Sequence, residues 1–291
     1  MKNKPKITVL TVTCRPGYID TMVESLKNQI FKDFEWILVD ELFEIRKKAV
    51  EEYVDGSLSL LHIPPKKISE TSSVPSAINT GLEKAQGELV YFMNDYIYLH
   101  PHTLNAHWDI YKKYGPKIMI SGPLIDKLVL SGTSVWYGAG VPTVEYSTNK
   151  GKISYSELMP PVEWPMKKHF RKPNSYNLIS IWEKPFKPNW PIFRCAPDWR
   201  IGYICNEVVD YKKRIYACSS SKWWWAGRND SADLSLLKSV GGMDEKLDGL
   251  QGIDSDLASR MAKEKAHYLV DKTAPCFILP HPSSKNLYMK K

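Results

Sequence analysis

The chain is expected to fold as an α/β protein built on a mostly parallel central sheet with helices on both faces. Three observations predict it. Over the first 115 residues, short apolar runs alternate with stretches of helical spacing. Two of those runs close on an acid or lead straight into one, as strands do when they deliver side chains to the carboxyl edge of an open sheet. Strands separated by helices do not pair as hairpins, so right-handed crossovers and parallel pairing follow.

Each element has its own justification. Ile7 to Thr13 alternates apolar residues with threonine and reads as the first strand. Ile19 to Gln29 follows as a helix, with Met22, Val23, Leu26 and then Ile30 at helical spacing. Glu35 to Asp40 is a second strand that ends on an acid. Residues 42–54 make a helix with Leu42, Ile45, Ala49 and Tyr53 on one face, and Leu58 to Ile63 is a third strand. A helix from Pro75 to Ala85 carries its proline in the first turn, and Gly87 ends it. Residues 88–93 form the fourth strand, which runs into Asn94 and Asp95. The ends of the first, second and fourth strands, near Arg15, Asp40 and Asp95, are expected to converge on one edge of the sheet.

Farther along, Ile118 to Ser121 reads as another strand. From there to about residue 222 the density of Pro and Trp suggests long ordered loops, which in a compact domain are usually functional or flexible. Pattern returns with a helix at about 231–239, a turn at Gly241-Gly242 and a helix at about 254–264. No internal repeat or low-complexity segment interrupts the chain.

Composition narrows the class. Apolar residues at 43% and charged residues at 25% are ordinary for a globular protein. The net charge of +8 favours anionic partners such as a nucleotide diphosphate, an acidic polymer or an anionic membrane surface. The lysines are spread out rather than run together, so no nucleic-acid partner is indicated. The five cysteines are odd in number and form no C-x-x-C pair, which argues against structural zinc and a disulfide framework and favours a cytosolic compartment. Residues 1–6 lead into a strand without an apolar leader, and no run approaches the roughly 18 apolar residues of a membrane span. A cytoplasmic protein, at most peripheral to the inner face of a membrane, is expected.

The chemistry concentrates at Asn94-Asp95. A carboxylate at a strand's carboxyl end can hold a hard divalent cation against a nucleotide diphosphate, and the same dipeptide can equally be a plain turn. Asp254, at a predicted helix start, fits an N-cap as well as a functional carboxylate. Asp256, two residues on, points to a different helix face. Trp223, Trp224 and Trp225 suit either stacking on a sugar or core packing.

Taken together, these residues resemble the family 2 glycosyltransferases. The resemblance is carried by Asp40 closing the second strand, by Ala77-x-Asn79-x-Gly81-Leu82-x-x-Ala85-x-Gly87-Glu88, and by Asn94-Asp95. Downstream it is carried by Gly241-Gly242-Met243-Asp244-Glu245 and by Gly252 to Arg260. It covers about residues 5–105 and 225–262 and implies a GT-A type, Rossmann-like fold. The whole of 1–291 is then one domain: residues 1–115 bind the nucleotide sugar, and 116–291 bind the acceptor and hold a loop-rich insertion at about 123–222.

The resemblance also implies roles. Asp40 would accept hydrogen bonds from the donor base, with Thr11, Thr13, Arg15, Asn94 and Asp95 completing the nucleotide-sugar site. The family's Asp-x-Asp motif binds the metal, Mn²⁺ or Mg²⁺; here it is thinned to Asn94-Asp95-Tyr96, so His281 is a candidate to complete the metal site beside Asp95, its other reading being a surface loop histidine. Cys14 stands where an aromatic residue often follows the first strand, which puts base stacking from that position in doubt. The family's Glu-Asp pair reads Ile253-Asp254, and Asp254 would be the catalytic base. Trp224, Trp225 and Asp256 would meet the acceptor, a glycan, a lipid-linked group or another hydroxyl compound. The Q-x-x-R-W motif of processive synthases is missing, which points to single-residue transfer.

The expected activity is an inverting, metal-assisted transfer of one sugar from a nucleotide diphosphate sugar to a hydroxyl, in glycan biosynthesis, with UDP favoured by the resemblance. The thinned metal motif leaves open a catalytically inactive carbohydrate- or nucleotide-binding protein. A sugar-phosphate nucleotidyltransferase is a third reading, for which Cys14-Arg15-Pro16-Gly17 is a poor phosphate loop.

Overall fold

The computed structural model describes residues 4–13, 19–68, 74–122, 124–125, 205–210, 215–218, 227–248, 252–271 and 276–278. The first half builds the sheet that the alternation predicts. Its strands are β1 (Ile7–Thr13), β2 (Phe34–Asp40), β3 (Leu60–Ile63) and β4 (Leu89–Met93). The helices between them are α1 (Ile19–Lys27), α2 (Phe43–Val54) and α3 (Val74–Lys84). All four strands pair in parallel, in the spatial order β3-β2-β1-β4.

Side chains alternate between two cores, which is why these strands are apolar almost throughout. Ile7, Val9, Trp36, Leu38, Leu89 and Tyr91 pack on one face with Met22 and Leu26 of α1 and Val50 and Val54 of α2. Leu10, Ile37, Val39, Val90 and Phe92 pack on the other with Ala77, Ile78 and Leu82 of α3. The chain then adds β5 (Ile97–Leu99), α4 (Thr103–Tyr114), β6 (Ile118–Ser121) and β7 (Leu124–Ile125).

Beyond residue 204 the structure departs from the expected loops and helices. Strands β8 (Cys205–Asp210) and β9 (Ile215–Cys218) pair antiparallel within the stretch read as loop. Residues Asn229–Asp233, the first two unassigned and the last three assigned to a helix, form strand β10 instead, and the helix α5 is shortened to Leu234–Ser239. The reason is local. Asp233 caps α5, its Oδ1 accepting from Leu236 N at 2.8 Å and from Ser235 Oγ, so the helix begins only after it. The polar residues before it fill a slot between β4 and β6, antiparallel to both. Their buried groups are satisfied there: Tyr91 Oη donates to Asn229 Oδ1 at 2.6 Å, and Ser231 Oγ meets His107 Nδ1 at 2.7 Å.

Helix α6 (Ile253–Lys263) and strands β11 (His267–Asp271) and β12 (Cys276–Ile278) follow. Among the described residues the large sheet has nine strands in the order β3-β2-β1-β4-β10-β6-β11-β9-β8, and β5-β12-β7 form a small second sheet. Helices α5 and α6 extend the core over α3 through Leu236, Leu237, Leu257, Ala258 and Met261. Among the described residues no helix is long and apolar enough to cross a membrane.

Candidate functional site

Parallel register brings the strand ends to one edge, as expected. Thr13, the last residue of β1, lies opposite Asp40, the last of β2. Thr13 Oγ1 donates to Asp95 Oδ2 at 2.8 Å, which joins the end of β1 to the residues just past β4. Asp95 is 3% exposed, and beside it Asn94 Nδ2 donates to Tyr96 Oη at 2.7 Å. Thr11 is turned into the core, where its Oγ1 accepts from Trp36 Nε1 at 3.1 Å.

Asp40 is fully buried. Its Oδ1 accepts from Leu42 N at 2.8 Å, and its Oδ2 lies 2.9 Å from His62 Nε2. The imidazole packs edge-on against Phe43, ring centroids 4.9 Å apart. His62 was not anticipated. Its only signal in the sequence is a polar residue inside the apolar run Leu60–Ile63.

Strand β10 carries the edge across to the second half of the chain. It runs antiparallel to β4 with Asn229 opposite Met93, so Gly227 and Arg228 precede it at the end where β4 runs into Asn94 and Asp95. The Asp254 carboxylate packs on this same segment: a methyl group added to Gly227 would sit 3.2 Å from Asp254 Oδ1. Asp254 is half-buried in the first turn of α6, and its pKa is pushed up to about 6. Burial is the main cause, the nearby Asp230 charge adds to it, and Arg228 opposes both.

Asp256 points elsewhere on the helix and pairs with Arg260, at 2.8 Å to both Nε and Nη2. Arg15, Trp223, Trp224, Trp225 and His281 lie outside the described residues, as do Cys14 and most of the Trp- and Pro-rich insertion. Asp230, Ser121 and Tyr268 form a buried polar group that the sequence did not mark, because each sits alone in its own strand.

This edge of parallel strand ends, with the Asp95 carboxylate just past β4, is a recurrent ligand position in open α/β sheets. Residues 8–129 match the family model described as Glycosyl transferase family 2. The matched segment includes Thr13, Asp40 and Asp95 and stops short of Asp254. No curated protein matches the chain.

Solved structures share the fold. S. aureus TarS residues 1–349 in complex with UDP-GlcNAc is 15% identical, with a TM-score of 0.53 over 97% of this chain and 60% of that one. The mannosyltransferase PcManGT from Pyrobaculum calidifontis, with GDP-Man and Mn²⁺, is 14% identical, with a TM-score of 0.51 over 95% of this chain and 57% of that one. GalNAc-T7 with UDP, GalNAc and Mn²⁺ is 13% identical, with a TM-score of 0.56 over 99% and 47%. The chain therefore spans only about half the length of these glycosyltransferases, and what the likeness establishes is a GT-A fold.

Proposed function

We propose that the protein transfers one sugar from a nucleotide diphosphate sugar to an acceptor hydroxyl. The observation that carries this reading is the joined edge of Thr13, Asp40 and Asp95 inside the segment that matches the family 2 model, with Asp254 against Gly227 just before β10. Neighbours of the same fold that hold UDP-GlcNAc or GDP-Man support a nucleotide-sugar donor. UDP is the first donor nucleotide to test.

The donor set suits a divalent ion. Asp95 offers a carboxylate, and Mg²⁺ or Mn²⁺ bound chiefly through a diphosphate needs only one or two protein carboxylates. Asp95 would hold that ion, with His281 as a second ligand, and Mn²⁺ in two of the neighbours supports the assignment. Such an ion supplies Lewis-acid neutralisation of charge on the departing diphosphate.

The chain's own residues do the rest. Thr13 Oγ1 fixes the Asp95 carboxylate by donating to Oδ2. Asp40, held by Leu42 N and His62, is assigned to the donor base, and Arg15 to the phosphates. Asp254 takes the proton from the acceptor hydroxyl as that oxygen attacks the anomeric carbon in line, which inverts the centre. Its raised pKa suits this, since a general base works best when its pKa approaches the ambient pH. Trp224, Trp225 and Asp256 are assigned to the acceptor side.

Isothermal titration of UDP, GDP and dTDP, each with and without Mn²⁺, tests the reading. Metal-dependent binding of one nucleotide, lost in Asp95→Ala, is the expected result. If none binds, the sugar-nucleotide site is refuted; release of pyrophosphate rather than nucleoside diphosphate on turnover would make the protein a nucleotidyltransferase.

A further inference from the structure

His62 is the one polar residue in β3, and its imidazole is closed to solvent, 1% exposed. Parallel pairing sets it opposite Leu38, so it shares a face of the sheet with Leu38 and Asp40. From there its Nε2 reaches Asp40 Oδ2 at 2.9 Å, while Leu42 N holds Oδ1 at 2.8 Å. Partners on both oxygens fix the plane of the carboxylate, and Phe43, edge-on at 4.9 Å, fixes the plane of the imidazole. The other ring nitrogen is a liability: Nδ1 is buried and meets no hydrogen-bond partner among the described residues. An aliphatic side chain, like those of Leu60, Leu61 and Ile63 around it, would fill the strand without that penalty. What the imidazole adds is the contact with Asp40.

We propose that His62 is a positioning residue for donor-base selection: through Nε2 it fixes the Asp40 carboxylate in the orientation that accepts a base N–H. The proposal rests on the reading of Asp40 as the base contact and goes beyond it by naming what makes that contact selective. A carboxylate held as an acceptor suits uracil or guanine, which carry a ring N–H on the pairing edge. Cytosine and adenine present a bare ring nitrogen there, so the same carboxylate counts against them. Both side chains are shut off from solvent, where a misplaced hydrogen bond costs most. His62 acts through Asp40 and needs no contact with the nucleotide.

The experiment is isothermal titration of the full chain with UDP against CDP and with GDP against ADP, Mn²⁺ present throughout. Wild type, His62→Phe, His62→Gln and Asp40→Asn are compared. The expected result is that His62→Phe loses about 10-fold or more of the preference for UDP over CDP, or for GDP over ADP. His62→Gln, which puts a donor back in the place of Nε2, recovers most of it. A folded His62→Phe that keeps the full preference overturns the proposal, whatever its melting temperature. Equal weakening of all four nucleotides does so too, because a merely structural residue would act that way. Should His62→Phe fail to fold, imidazole ¹⁵N spectra of the wild-type protein decide, with the His62 signal assigned by its loss in His62→Gln. UDP with Mn²⁺ must shift the Nε2–H signal, and pyrophosphate with Mn²⁺ must not. A signal that stays put, or that answers both alike, overturns the proposal.

Asp40→Asn separates the two readings. If it leaves the preference intact, Asp40 is not the base contact, and the proposal falls with that assignment. If it abolishes the preference while His62→Phe keeps it, Asp40 reads the base and the positioning role alone fails.

Discussion

Asn79 and Met243 exchange two hydrogen bonds across 164 residues of chain. Met243 N donates to Asn79 Oδ1 at 2.8 Å, and Asn79 Nδ2 donates to Met243 O at 2.9 Å. The same Nδ2 reaches Glu245 Oε1 at 3.0 Å. This clip ties α3, which packs over β1 and β2, to the turn that precedes α6 and Asp254. The two sequence blocks that suggested a family are therefore one physical unit.

Breaking the clip is expected to cost stability rather than donor affinity. Asn79→Ala strands both backbone groups of Met243 and should lower unfolding free energy by about 2–3 kcal/mol, read by urea denaturation. Nucleotide binding, measured by titration, should be unchanged, since none of the contacts of Thr13, Asp40 and Asp95 described above involves Asn79. Loss of binding in step with stability would show that the clip also shapes the donor edge.

The two adjacent glycines of the turn should behave differently. A Cβ at Gly242 would lie 2.4 Å from Asn79 Oδ1 at φ +66°, whereas one at Gly241, φ +81°, meets nothing within 4 Å. Gly241→Ala then carries only left-handed strain, about 1–2 kcal/mol, and Gly242→Ala adds loss of the clip, for roughly 3 kcal/mol or more. Equal shifts in the denaturation midpoint would contradict this.

Asp254→Asn should trade activity for stability. The folded-state pKa of about 6 lies above the unfolded value, so the stability it contributes is fully present below about pH 4 and is lost as pH rises through 6. A side chain that cannot ionise avoids that loss. The variant should be more stable than wild type above pH 6 by on the order of 1–2 kcal/mol, with the gap closing toward pH 4. Thermal melts across that range check it, and turnover should fall at least about 100-fold.

His62→Phe removes a partner from a fully buried carboxylate oxygen of Asp40. A loss of about 1–3 kcal/mol is expected, with partial recovery in His62→Gln, which restores a donor. Chemical denaturation of the three proteins gives the order directly.

Thr13→Val keeps the shape of the β1 end and deletes the hydroxyl that donates to Asp95. Mn²⁺-dependent nucleotide affinity should drop by about 10-fold or more, the worth of one hydrogen bond to a charged group. Metal-free nucleotide binding should stay as it was; an equal drop in both would place Thr13 on the nucleotide itself.

Where the sequence misled, the cause was local pattern standing in for distant contact. Asn229–Asp233 has few of the branched or aromatic residues that mark a strand, and its order comes from buried partners on β4, α4 and β6. His62 is a single polar residue in an apolar strand, and only the fold sets Asp40 beside it.

The sequence by itself determined the alternation of strand and helix through residue 115 and the positions of Asp40 and Asp95 at strand ends, because both follow from the periodicity of neighbouring residues. Tertiary structure alone decided the antiparallel β10 between β4 and β6, the buried pairing of His62 with Asp40, the Asn79–Met243 clip and the seat of Asp254 on Gly227. Each of these joins residues at least 22 positions apart, and a contact at that separation leaves no periodic trace in the chain that makes it.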